Sequence, residues 1–316
     1  MANDKSQGWR SAFASSVVGA CVVVLWKLLS WLPIDRASDL GGFLGRHVFV
    51  RVLKPRTITK NLRTAFPALP DSRIDELTRG IFDNFGRVAA EITHLDSFRK
   101  RRNGASITIE GREHLVSGQP AIFVGGHLSN WEIGVVAIAQ IAGRLNAIVT
   151  PLGVPVIDRR LEAFRAASGA NYLPRSSASL RTIFGDLANG TSVAMLVDQR
   201  VGTGPRVHFF GRPTISSSLP ATLAVRFGIP IIPVDGERVT PSHFIVRFHK
   251  PIWPGQEAVG DKEIQLLSQK MMTAIEGFVR SSPETWFCHK ARWKPQDADP
   301  QPIATPGDLI RNSEPA

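Results

Sequence analysis

Two residues of this 316-residue chain have the type and spacing for proton chemistry: His127 and Glu132, in the run Ala121-Ile122-Phe123-Val124-Gly125-Gly126-His127-Leu128-Ser129-Asn130-Trp131-Glu132-Ile133-Gly134. An imidazole takes up a proton near neutral pH. It does so best when a carboxylate holds its other nitrogen and stabilises the imidazolium that forms. H-x-x-x-x-E across a turn into a helix is one way to bring the two together. Amides near Gly126 or at the helix start would then be placed to stabilise an oxyanion. The same residues admit a structural reading. Ser129 to Glu132 also spell a capping box, in which Glu132 satisfies an orphan amide, and His127 is then an ordinary turn histidine. The stretch alone leaves both readings open. The chain carries no G-x-S-x-G, G-x-x-x-x-G-K-[ST], H-E-x-x-H or C-x-x-C motif, so those chemistries have no sequence support.

The elements around the pair must position it. Ala121–Val124 is an apolar run bounded by Pro120 and the Gly125-Gly126 pair. That suits a buried strand, although periodicity alone does not exclude a helix. His127 then sits at a strand's carboxyl end, where open α/β sheets place their sites. From Ser106 onward strands and helices are expected to alternate. Strands are expected at 106–110, 121–124, 147–149, 192–197 and 229–234, with 244–248 as an edge strand. Helices are expected near 131–142, 157–168, 178–189, 218–227 and 262–280. The fold class is α/β, with a mixed central sheet flanked by helices. Upstream, Leu77, Ile81, Phe85, Val88 and Ile92 recur at helical spacing, which predicts a helix over 71–98. Glu91 and His94 share one face of it, half of a di-iron carboxylate pattern. No second E-x-x-H follows, so they read as structural or pocket-lining.

Hydrophobic content of 43% and charged content of 21% are those of a globular protein, but the net charge of +11 calls for an anionic partner. Without a helix-turn-helix, zinc-finger or RNP pattern, anionic lipid or an acidic protein is preferred over nucleic acid. Val17 to Trp26 is strongly apolar and Lys27 interrupts it before Leu28. It reads as an uncleaved N-terminal membrane-anchoring helix, spanning or lying in the interface, since a full crossing needs about 20 apolar residues. A signal peptide lacks an A-x-A-like site here, and a helix packed on the domain is the other alternative. Arg46, Arg51, Lys54, Arg56 and Lys60 form a basic cluster suited to anionic lipid on a cytoplasmic face. Cys21 and Cys288 suggest no disulfide framework. The expected organisation is an anchor at 1–35, a helical N-terminal segment at 36–104, the α/β domain at 105–296 and a disordered tail at 297–316.

Five blocks in order carry a resemblance: Asn61-Leu62-Arg63-Thr64-Ala65-Phe66-Pro67; Gly125 to Glu132; Val197-Asp198-Gln199 with Phe209-Phe210-Gly211-Arg212-Pro213-Thr214; Pro230-Ile231-Ile232-Pro233; and Trp286 to Pro295 with His289, Arg292, Trp293 and Lys294. Together they resemble the bacterial lipid A biosynthesis lauroyl/myristoyl acyltransferase family, over most of residues 10–295. The family usually has glycine where Ser129 stands and often an acidic residue where Arg200 stands. The resemblance implies a membrane-bound O-acyltransferase. It would move an acyl group from an acyl-carrier protein or CoA thioester to a hydroxyl of an anionic lipid A precursor or related glycolipid. The enzyme would sit at the bacterial inner membrane with its catalytic domain on the cytoplasmic face. His127 is then the general base, Glu132 its assistant, and Gly126 an oxyanion donor. Arg165, Asp198, Gln199, Asn130 and Phe210 are expected at the substrate site, without metal or cofactor. The competing reading is a catalytically silent membrane-associated lipid-binding or scaffold protein of the same fold.

Overall fold

The computed structural model describes residues 19–53, 55–116, 118–255 and 260–298. The first half of the expected anchor, Lys54 and residues 299–316 of the expected tail lie outside them. Helix α1 (residues 19–29) turns at Pro33 into α2 (Ile34–Leu44), a π-helical turn (Gly45–Phe49) and α3 (Val50–Val52). Helices α4 (Arg56–Ala65), α5 (Asp71–Glu91) and α6 (Leu95–Lys100) complete the N-terminal segment. The alternating part runs β1 (Ser106–Glu110), β2 (Ile122–Gly125), α7 (Trp131–Ala142), β3 (Leu145–Val149), α8 (Pro155–Arg165), β4 (Asn171–Pro174), α9 (Ser177–Ala188) and β5 (Ser192–Leu196). A hairpin of β6 (Arg206–Phe209) and β7 (Arg212–Ile215) precedes α10 (Leu219–Phe227), β8 (Ile231–Thr240), β9 (His243–Phe248) and α11 (Asp261–Ser281).

Seven strands form one mixed sheet in the order β1-β9-β8-β2-β5-β3-β4. Only β8 and β9 pair antiparallel; the other neighbours are parallel. Successive residues of β2 feed opposite faces. Ile122 and Val124 join a core with α5, α9, α10 and α11, whereas Phe123 joins one with α1, α6 and α7. Both faces are thus covered, which is why β2 reads as a continuous apolar run. The 244–248 strand is not an edge. The turn before His243 folds β9 back on β8, and β1 adds outside it in parallel. Strand β4, an edge strand, and the β6–β7 hairpin had no clear periodic signal.

Among the described residues no helix is long and apolar enough to cross a membrane. Residues 19–29 instead pack on the domain. Trp26 and Leu29 are buried, the Trp26 indole donates to the Ala89 carbonyl at 2.7 Å, and its ring meets Phe164 edge-on at 5.6 Å. The outer side of this region leaves Val24, Leu28 and Trp31 exposed. Helices α2 and α5 approach backbone to backbone at Gly41 and Gly86, where a Cβ on either would overlap the other's carbonyl. Asp297, the first residue of the expected tail, is buried and paired with Arg200 at 2.6 Å. A buried carboxylate needs such a partner.

Candidate active site

The parallel register sets the site. Gly125 at the end of β2 lies opposite Leu196 of β5, so the next residues of both strands emerge side by side at the carboxyl edge. His127 and Asp198 meet there, Nδ1 to Oδ1 at 2.7 Å. The other carboxylate oxygen accepts from the Trp286 indole at 3.0 Å, and the backbone N–H of His127 adds a further donor. Asp198 is 2% exposed. Burial alone would push its carboxyl up. The charge His127 carries when its ring is protonated, and the donors from His127 and Trp286, outweigh burial and hold it below the usual carboxylate range. A carboxylate at Nδ1 places the ring proton there and leaves Nε2 with a lone pair. The Gln199 side-chain amide sits 3.3 Å from that nitrogen. Gly126 lies between the two elements, where a Cβ would press on Leu128 and come within 3.5 Å of Asp198.

The turn that presents His127 is fastened from behind. The Leu128 N–H bonds the Gly126 carbonyl at 2.8 Å, and Ser129 takes a left-handed backbone with φ +48°. The Asn84 amide donates to the Ser129 carbonyl at 2.8 Å. Asn130 caps α7, its side-chain oxygen accepting from the Glu132 and Ile133 amides at 3.0 and 3.2 Å. Its NH₂ donates to Glu91 at 2.7 Å, and Glu91 is itself paired with Arg238 at 2.8 Å and accepts from Ser38 at 2.6 Å. Glu91 is therefore held within the frame, and Asn130 is a capping residue whose side chain is spent on the start of α7 and on Glu91.

Glu132 is not the carboxylate beside His127. It is buried and faces Arg165, with Nη2 to Oε1 at 2.6 Å and Nε at 3.2 Å, and it accepts from the Tyr172 hydroxyl at 3.3 Å. Its place in the first turn of α7 aims it at Arg165 of α8 and Tyr172 of β4. Nor does it cap the helix through its side chain, since Asn130 does that. Arg165 is correspondingly engaged with Glu132, an ion pair 4% exposed on the acid side. Burial, with Glu132 beside it, pushes the Tyr172 phenol well up. Of the expected set, Gly126, His127, Asp198 and Gln199 converge. Glu132 and Arg165 form a second buried pair, Asn130 supports the turn, and Phe210 is buried against Phe66, Phe209 and Trp286.

Sequence reasoning gave no role to the aromatic groups around the imidazole. Trp131 meets His127 edge-on at 5.3 Å, and His289 lies at 6.2 Å. Phe287 stacks on Phe85 at 4.2 Å and on His289 at 4.8 Å. Burial first, then the neighbouring His127 charge, lowers the His289 imidazole below its usual value. The aromatic run at Trp286-Phe287 was the available signal.

A half-buried imidazole held by a buried carboxylate at the carboxyl edge of a mixed α/β sheet has the geometry to accept a proton. Residues 9–295 match the family described as bacterial lipid A biosynthesis acyltransferase. The chain belongs to that family and is an O-acyltransferase. It is similar to the phosphatidylinositol mannoside acyltransferase of Mycobacterium tuberculosis, strains CDC 1551 / Oshkosh and ATCC 25618 / H37Rv. Identity to each is 26% over 221 residues, covering 66% of this chain and 69% of the relative. Among solved structures it is similar to the 1-acyl-sn-glycerophosphate (LPA) acyltransferase PlsC of Thermotoga maritima, with TM-score 0.37, 14% identity and coverage of 85% of this chain and 97% of that one.

Proposed function

We propose that the chain transfers a fatty acyl group from an acyl-carrier-protein or CoA thioester to a hydroxyl of an anionic glycolipid, a lipid A precursor or a related mannosylated lipid. Nε2 of His127 takes the hydroxyl proton, and Asp198 holds the resulting imidazolium. The oxygen attacks the thioester carbonyl. The tetrahedral oxyanion is stabilised by turn amides, with Gly126 the first candidate. Collapse breaks the carbon–sulfur bond, and the departing thiolate takes the proton back from His127, giving ester and free thiol. The acceptor hydroxyl displaces the Gln199 amide from Nε2 and becomes its hydrogen-bond partner. The observation that carries this reading is the His127–Asp198 contact of 2.7 Å on a half-buried ring whose Nε2 has the Gln199 amide 3.3 Å away. Glu132, Arg165 and Asn130 act by shaping the frame, and Phe210 by packing on Trp286.

The site works at the cytoplasmic face of the inner membrane on this reading. Leu28, Trp31, Phe43, Val52 and Leu53 are exposed along the N-terminal helices, with Lys27, Arg36 and Arg51 in the same stretch. Apolar side chains among cations suit the interface of an anionic bilayer. The test offers acyl-carrier-protein and CoA thioesters separately to purified protein, with a panel of lipid A precursors, mannosylated phospholipids and lysolipids, and reads products by mass spectrometry. Ester formation that disappears in His127→Ala is expected. Equal turnover by that variant would end the proposal. Lipid bound without turnover by either protein would instead support the silent lipid-binding reading.

A further inference from the structure

Asp198 has two oxygens and only one of them faces the imidazole. The other is taken by Trp286, which is fully buried. That indole is gripped on several sides. Phe209 meets it edge-on at 5.8 Å, Phe210 stacks at 6.3 Å with planes 18° apart, and Trp293 lies at 6.4 Å. The guanidinium of Arg292, 1% exposed, sits 4.9 Å over the Phe209 ring. It donates to Thr214 and to the Ile215 carbonyl, each at 3.1 Å. The neighbouring backbone is tied as closely. The Phe287 N–H donates to the His127 carbonyl at 2.8 Å. Asn61 donates to the Cys288 and Lys290 carbonyls at 2.8 Å and accepts from the Arg292 N–H at 3.1 Å. Asp297 then grips Arg200, two residues beyond Asp198.

We infer that Trp286 is a positioning residue of the transfer reaction: its indole N–H fixes the Asp198 carboxylate so that one oxygen stays on His127 Nδ1, and the segment 285–297 is the strap that delivers it. This rests on the reading of His127 and Asp198 given above. Without the indole, the Asp198 carboxylate keeps only the two donors of His127, its ring and its backbone N–H, and can share both oxygens between them, whereas a donor from a separate rigid ring removes that freedom. The indole also draws charge from the carboxylate. Without it, Asp198 holds the imidazolium more tightly and the base is harder to discharge. The charged groups facing the pair are His289 on the strap and Arg292 behind Trp286, whose guanidinium burial pushes down to about 10 against the pull of Asp198. The Cys288 thiol beside them is pushed well up by burial and stays neutral.

The experiment compares Trp286→Phe with the parent in acyl transfer across pH, in the background of His289→Ala as well as alone, so that the ascending limb belongs to one imidazole. Phenylalanine keeps an aromatic ring and deletes the N–H. A parallel protein carries benzothienylalanine at 286 by nonsense suppression, which keeps the indole's shape with sulfur in place of N–H. The expected result is kcat lower by about tenfold or more, the loss of one hydrogen bond to a charged group. KM should stay nearly unchanged and the ascending limb of kcat/KM should move to higher pH in both replacements. Turnover within about twofold of the parent, or a fall in kcat with the limb unmoved, overturns the inference, the latter because it marks packing alone. If Phe at 286 prevents folding, the benzothienyl protein decides alone. Asp198→Asn is run beside them. Should that variant turn over normally too, the reading of the site falls together with the role of Trp286.

Discussion

Replacing Asp198 by asparagine separates two carboxylates: Glu132, which the spacing along the chain favours, and Asp198, which meets the imidazole. Asparagine keeps the volume but offers one acceptor oxygen where two ring donors, the His127 imidazole and the Trp286 indole, now point at 2.7 and 3.0 Å. One of them must face an NH₂. If it is His127, the ring turns over its tautomer and Nε2 carries the proton it should accept. The charge lost is also buried. Unit charges about 4 Å apart at an effective dielectric near 20 attract by about 4 kcal/mol, which is about a thousandfold in rate if the imidazolium forms in the transition state. The expected outcome is kcat down by about 10³, with a loss near 10⁴ known for the analogous change in a serine-protease triad. The assay is thiol release from an acyl thioester in the presence of acceptor, with ester confirmed by mass spectrometry. Glu132→Gln is the control. It breaks the buried pair with Arg165 and should cost about 3–5 kcal/mol of stability, seen as a lower Tm, with kcat per folded molecule falling much less. A Asp198→Asn protein within tenfold of the parent, beside a Glu132→Gln protein that is folded and inert, would refute the assignment and return the role to Glu132.

Three further outcomes follow from the same structure. Ser129 holds φ +48°, a conformation that strains a non-glycine residue by about 1–2 kcal/mol, while glycine adds about 0.4–1 kcal/mol of unfolded-state entropy. Ser129→Gly is therefore expected to be as stable as the parent or better by up to about 1 kcal/mol, and a lower Tm would show that its hydroxyl contributes. Gly86→Ala places a methyl on the Gly41 carbonyl and should cost about 1–3 kcal/mol by overpacking, read as a shift in denaturant midpoint at constant slope. Burial lowers the His94 imidazole below its usual value, against the pull of a Leu29 backbone hydrogen bond and Glu91. The unfolded chain then binds the proton more readily, so the stability is complete above about pH 6.5 and erodes as pH falls through it. Between pH 8 and 5 the parent should lose more thermal stability than His94→Leu, and parallel losses would contradict this.

The strands that read as buried apolar runs, β2, β5 and the first half of β8, were legible because a two-faced sheet demands uniform hydrophobicity. Helix α5 was legible from the stripe of Leu77, Ile81, Phe85 and Val88, and helices α7 to α11 from their alternation with the strands. Strand β4 was not, because a short edge strand need not alternate cleanly. The position of β9 was misjudged because pairing order depends on the turn before it and on β1, which are separated in sequence. His127 stood out by type, and Asp198 by its place at a strand end. What the sequence could not disclose was which carboxylate the imidazole meets. Spacing along the chain favoured Glu132, whereas strand register, a relation between residues 71 apart, decided for Asp198. Ser129 shows the converse: a serine where the resembled family has glycine marks a backbone angle that only the fold makes visible.

The strap also sets when this molecule becomes competent. His127 and Asp198 leave the ribosome well before Trp286, which closes on Asp198 across 88 residues, and Asn61 waits across 229 residues for the Lys290 carbonyl. Such distant closures come late, because their loop entropy is repaid only once the rest is in place. A nascent chain, or one cut short before residue 286, thus lacks the indole that meets the second Asp198 oxygen. On the reading proposed above, acyl transfer waits for the strap, the last part of the site to be made.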